Sequence, residues 1–131
     1  MTTSPWPNFS YAELRCKCGR CSSDGREMDP AFMAELQKLR DLYGKPMTIS
    51  SAYRCPKHPV EAKKAQPGEH TTGLAVDVAI RGADALELLR LALTLKFTRY
   101  GISQKGSAGR FIHLGMAPKG GRLPSPAIWS Y

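Results

Sequence analysis

The sequence predicts an α+β fold: a small, mainly antiparallel sheet with helices packed on one side. Three observations predict it. Residues 30–43 carry Phe32, Leu36, Leu39 and Tyr43 at helical spacing. Residues 47–53 and 76–80 are short stretches of β-branched and alternating character. Residues 97–103 and 110–116 read as the two strands of a hairpin around the loose loop 104–109. At 131 residues the chain is expected to form a single domain with its own core. Within it, residues 1–28 form a cysteine-containing N-terminal segment, and 117–131 a tail that docks on the body through Ile128, Trp129 and Tyr131.

Each element has a local cause. Ser10 with Glu13 three residues on is a capping box for a single helical turn. Asp29 as N-cap and Pro30 at the first helical position open the main helix, and Gly44 closes it. Lys45 and Pro46 turn the chain into the strand at 47–53, which delivers Arg54 to its end. Residues 55–69, with Pro56, His58, Pro59 and Pro67, read as a long loop walling whatever site Arg54 serves. A leucine-rich helix follows at 83–96. Its expected buried side runs through Leu86, Leu89, Arg90 and Leu93, broadened by Leu88, Leu91 and Leu95.

Composition narrows the function. Nineteen Lys and Arg against eleven Asp and Glu give a net charge of +8 at pH 7. That excess suits anionic polymers and surfaces. The basic residues are scattered, however, without interleaved aromatics, so a specific nucleic-acid partner is not expected. No run of about 18 apolar residues is present, so no membrane insertion is expected. The stretch from Met1 to Trp6 has neither a basic start nor an apolar core, which points to cytoplasmic synthesis without a signal peptide. Cys16, Cys18, Cys21 and Cys55 are read as free or partly disulfide-bonded, with a cysteine-bound metal as the alternative.

The chemistry concentrates between residues 68 and 77. His70 and Asp77 lie seven residues apart, both are good zinc ligands, and the small residues Gly73 and Ala75 lie between them. His113, between Ile112 and Leu114 on the second hairpin strand, offers another imidazole. Two histidines and a carboxylate leave a fourth tetrahedral position open, as in a catalytic zinc site. A carboxylate within an apolar strand is otherwise costly. The zinc site is expected on the exposed sheet face.

Ser51, Ala52, Tyr53 and Arg54, then His70-x-x-Gly73-x-Ala75-x-Asp77, then Phe111, Ile112 and His113, together resemble the zinc D-alanyl-D-alanine carboxypeptidase family. The likeness spans nearly the whole chain and is greatest to small single-domain members of phage and prophage type. It implies one zinc ion held by His70, Asp77 and His113, with Arg54 on the substrate or transition state. It also implies hydrolysis of peptidoglycan stem peptides at a D-alanyl bond; the protein is expected to be a monomer. That protein would act on the cell wall as a lysin, after release or as part of a virion. Hedgehog signalling domains share the fold and ligand set, so fold alone does not prove peptidase chemistry.

One departure stands out. Family members generally carry an acid close to the last histidine, whereas here no acid follows Glu87. Gly68 also stands where the family often has serine. A general base must come from elsewhere, with Glu69 the nearest candidate and Glu61 the next; adjacent residues on an extended segment point to opposite sides, so the base stays unassigned. The alternative reading is a catalytically inactive, zinc-stabilised binding or phage structural module.

Overall fold

The structure is a computed structural model describing residues 3–131; Met1 and Thr2, part of the stretch read for a leader, lie outside the described residues. Its elements are, in order, α1 (Tyr11–Leu14), α2 (Pro30–Tyr43), β1 (Thr48–Ser51), α3 (Pro59–Ala62), a 3-10 turn (Glu69–Thr72), β2 (Ala75–Ala79), α4 (Gly82–Ala92), β3 (Arg99–Ser103), β4 (Phe111–Gly115) and β5 (Ala127–Ser130). The five strands form one sheet in the order β1-β2-β4-β3-β5. All neighbours are antiparallel except β5, which runs parallel to β3. The fold is α+β, as the sequence predicts.

The helix caps form where the residue types place them. Ser10 and Glu13 make a reciprocal capping box on α1. The Asp29 carboxylate accepts from the Phe32 N–H at 2.9 Å, and Gly44 takes the left-handed conformation that ends α2. Phe32, Met33, Leu36 and Leu39 of α2 are fully buried. They join Val76, Val78, Ile112 and Leu114 from the two central strands in one apolar core. Glu35 sits on the same buried side of α2. Its charge is met by the Lys96 N–H and the Lys38 ammonium, both at 3.1 Å.

Two expectations change. The stretch 55–69 is not structureless, because Pro59 at the first helical position and His58 as N-cap start a short turn, α3. In α4 the buried residues are Ala85, Leu88 and Ala92, whereas Leu86 and Leu93 are 69% and 59% exposed. The alanines explain the difference. α4 packs against both α2 and β4, and small side chains let its backbone approach, which a count of leucines does not reveal.

The two sides of α4 therefore differ in what they contribute. Leu88→Ala should lower stability in urea unfolding by about 2–5 kcal/mol. Leu86→Ala should stay within about 0.5 kcal/mol. Equal losses would mean that the helix is rotated from the orientation described.

Candidate metal centre and active site

The sheet register assembles the site. Ser51, Asp77, His113, Gly101 and Trp129 are paired in one row across all five strands. Side chains alternate along a strand, so this row faces away from Val76, Val78, Ile112 and Leu114. Asp77 and His113 are thus direct cross-strand neighbours, with Asp77 Oδ1 at 3.0 Å from His113 Nδ1. His70 comes from the 3-10 turn just before β2, and its Nε2 lies 3.3 Å from the same Asp77 oxygen.

Each imidazole is oriented from behind. His70 Nδ1 lies 2.7 Å from the Ala52 carbonyl, which can only accept, so Nδ1 carries the proton and Nε2 is the free nitrogen. His113 Nε2 lies 2.8 Å from Glu69 Oε1, which by the same logic leaves Nδ1 facing Asp77. A metal-binding histidine typically has its second nitrogen tied to a carbonyl or carboxylate in this way. The three ligand atoms lie within 4.8 Å of one another. Tetrahedral zinc ligands at their usual bond lengths stand roughly 3.3–3.6 Å apart; the His70–Asp77 separation of 3.3 Å meets that span and the His113–Asp77 separation of 3.0 Å is slightly tighter. The donor set fits zinc.

Charge is concentrated and fully paired. Burial alone would raise the Asp77 carboxyl, but the His113 and His70 imidazoles outweigh it and hold Asp77 below the usual carboxylate range. Burial would likewise depress His113, yet Asp77 and Glu69 on either side raise it above the ordinary imidazole value. Arg54 reaches the centre from the end of β1. Its Nη2 is 3.5 Å from Asp77 Oδ2, its Nη1 3.2 Å from Glu61 Oε2, and its Nε donates to Ser51 at 3.0 Å. Glu61 is therefore the anchor of Arg54, and it also accepts from Lys64 and from the Gly68 N–H.

Glu69 is the acid beside the last histidine. Adjacent residues of an extended segment would diverge, but at about three residues per turn a 3-10 turn rotates them by about 120°, and here Glu69 and His70 both reach the centre. Besides His113, Glu69 Oε1 accepts from Arg99 Nε at 2.9 Å, and Oε2 from the Ala117 N–H at 2.9 Å. Burial opposes its ionisation, but His113 and Arg99 outweigh that and keep the carboxyl below its ordinary value. The carboxylate lies directly over Gly115. A Cβ at that position would stand 2.2 Å from Oε1, so the space exists only because residue 115 is glycine.

The centre lies in a cleft of about 520 Å³. Pro67, Gly68 and neighbouring residues form one wall, in keeping with the expected role of that loop, and Arg122, Trp129 and Tyr131 of the tail form another. The sequence does not mark Arg99, Arg122 or Tyr131 as site residues, and Trp129 reads there more as packing than as recognition. No motif marks them. Arg99 stacks under Trp129 with its guanidinium carbon 4.6 Å from the ring centroid, while Trp129 itself lies over Gly101, where a Cβ would meet the indole at 2.8 Å. His58 is not in this cleft; its Nδ1 accepts from the Val60 N–H as a helix cap.

Residues 7–115 match the family model described as Peptidase M15, and the chain belongs to that family. The family is one of zinc-dependent metallopeptidases acting on peptidoglycan, which places this protein in the same general class. No curated protein matches the chain. The match ends at Gly115, so the tail that supplies Arg122, Trp129 and Tyr131 lies beyond it.

The Glu69–Gly115 arrangement can be tested through the metal. Gly115→Ala should displace the carboxylate and weaken zinc binding by about 10–100-fold in chelator competition. A Glu69→Ala, Gly115→Asp double variant returns a carboxylate to the same space from β4 and should recover much of that loss. Unchanged affinity in Gly115→Ala would remove Glu69 from the metal's surroundings.

Proposed function

We propose that the protein is a zinc peptidase that cleaves peptidoglycan stem peptides at a D-alanyl bond. The observation that carries this reading is the convergence of His70 Nε2, Asp77 Oδ1 and His113 Nδ1 in an open cleft, with the rear nitrogen of each imidazole already hydrogen-bonded. His70, Asp77 and His113 would hold the metal. Bound there, zinc supplies Lewis acidity for a carbonyl and acidifies water.

The chain's own groups bind and orient the substrate and the metal site. Arg54 stands against Asp77 with its guanidinium held by Ser51 and Glu61, so its charge is in place before substrate arrives. It binds the terminal carboxylate of the peptide or the oxyanion that develops at the scissile carbonyl. Lys64 and Arg122 add positive charge to the cleft walls, which suits a substrate ending in a carboxylate. Glu69 acts through His113 as a positioning residue, because both of its oxygens are engaged and it faces the imidazole nitrogen turned away from Asp77. In this reading Glu69, the nearest candidate for a general base, positions the imidazole instead. The net charge of +8 suits a protein delivered to the anionic wall, as a phage-type lysin after release or within a virion.

A second reading, a zinc-stabilised binding module without turnover, is favoured by one observation. Every carboxylate near the three ligands is already paired inside the protein: Asp77 with Arg54, Glu61 with Arg54 and Lys64, and Glu69 with Arg99.

Mass spectrometry of peptidoglycan peptides incubated with zinc-loaded and chelated protein separates the two readings. Zinc-dependent loss of D-alanine or of a cross-link is the expected result, and zinc retention without cleavage would favour the binding module. Arg54→Ala should keep its zinc while kcat/KM falls by about 10²–10³-fold. An Arg54→Ala protein with full activity would rule out the assigned role.

A further inference from the structure

Outside the cleft, the cysteines form a second cluster. The turn after α1 carries Cys16, Cys18 and Cys21, and Cys55 comes from the far end of β1, thirty-seven residues beyond Cys18. The four sulfurs lie within 4.8 Å of one another. Cys18 Sγ is 3.6 Å from Cys21 Sγ and 3.5 Å from Cys55 Sγ. These separations are far beyond the roughly 2.05 Å of a disulfide, and all four cysteines are free. They are close to the roughly 3.8 Å between sulfurs arranged tetrahedrally about zinc at its usual Zn–S distance.

The surroundings also suit bound thiolates. The Arg20 N–H points at Cys18 Sγ and the Cys55 N–H at Cys16 Sγ, each at 3.3 Å. Gly19, at φ +74°, makes the tight turn that returns Cys21 to the cluster. Packing alone does not account for the group, since free cysteines that merely fill a core are buried and Cys21 is exposed. Lys17, Arg20 and Lys57 neighbour these cysteines in sequence and offset the charge that four thiolates leave on a divalent ion.

We propose that Cys16, Cys18, Cys21 and Cys55 bind a second, structural zinc ion that fastens the N-terminal segment to the arginine-bearing end of β1. Four protein ligands close the coordination sphere, so this site stabilises structure and leaves no position for substrate. Its point of attachment matters. Cys55 follows Arg54, whose backbone N–H donates to the His70 carbonyl at 3.1 Å, while the Tyr53 N–H donates to the Leu14 carbonyl at 3.2 Å. The cluster thus ties α1, the end of β1 and the turn bearing His70 into one unit.

Metal analysis of protein purified under reducing conditions should find two zinc ions per chain. His70→Ala/His113→Ala should retain one, and Cys18→Ser/Cys21→Ser should retain the other. In the native protein the four thiols should resist a thiol-specific chromogenic reagent until a strong chelator is added. Cobalt-exchanged His70→Ala/His113→Ala should show thiolate-to-metal charge-transfer bands. One zinc in the wild type that disappears in the histidine variant, with four freely reacting thiols, would overturn the proposal. So would a disulfide among these cysteines in the native protein. Loss of the histidine-bound ion alone would instead count against the cleft assignment, so the two sites fail separately.

Discussion

Asp77 lies opposite His113 across the two central strands, and the centre's geometry depends on that pairing. A slip of one residue between β2 and β4 would send Asp77 to the core and bring Val76 or Val78 out beside the imidazole. The slip is resisted from the opposite face, where Val76, Val78, Ile112 and Leu114 pack beneath α2 and α4. Apolar packing that touches no reactive atom thereby sets the distance between two candidate ligands. The third, His70, is placed by a backbone acceptor, the Ala52 carbonyl at the end of β1. Each candidate ligand therefore rests on the sheet or its immediate edge.

Around that row the protein buries Glu61, Glu69, Asp77, Arg99 and His113, and none of their buried side-chain atoms lacks a partner among the described residues. Buried ion pairs add little net stability, because desolvation offsets much of their attraction. Their value here is positional. Each charge holds another in one orientation: Glu61 holds Arg54, Arg99 holds Glu69, and Glu69 holds His113. Such concentrations of perturbed ionisable groups in a cleft are characteristic of functional sites.

Much of this was legible in the chain. The caps at Asp29 and Gly44, the apolar face of α2 and the hairpin carrying His113 follow from local propensity and periodicity, which act within a few residues. The His70, Asp77 and His113 grouping was readable because each residue type is a natural ligand and the strands between them are short. What escaped depends on distant parts of the chain. Gly115 reads as an ordinary strand-end glycine until Glu69, forty-six positions earlier, is found lying over it. The parallel pairing of β5 with β3 and the arrival of Cys55 among the other three cysteines are equally non-local. The buried face of α4 escaped because leucine abundance masked the two alanines that set the approach distance.

The tail gives the cleft a divided origin. Its floor is built from strands inside the family match, whereas the wall bearing Arg122, Trp129 and Tyr131 comes from the last ten residues. That wall touches the floor through Trp129 on Gly101, Arg99 and His113, through Tyr131 on Phe111, and through the β5–β3 ladder. The wall is therefore coupled to the floor: the indole that closes one side of the cleft also rests on the His113 imidazole and on the arginine that holds Glu69.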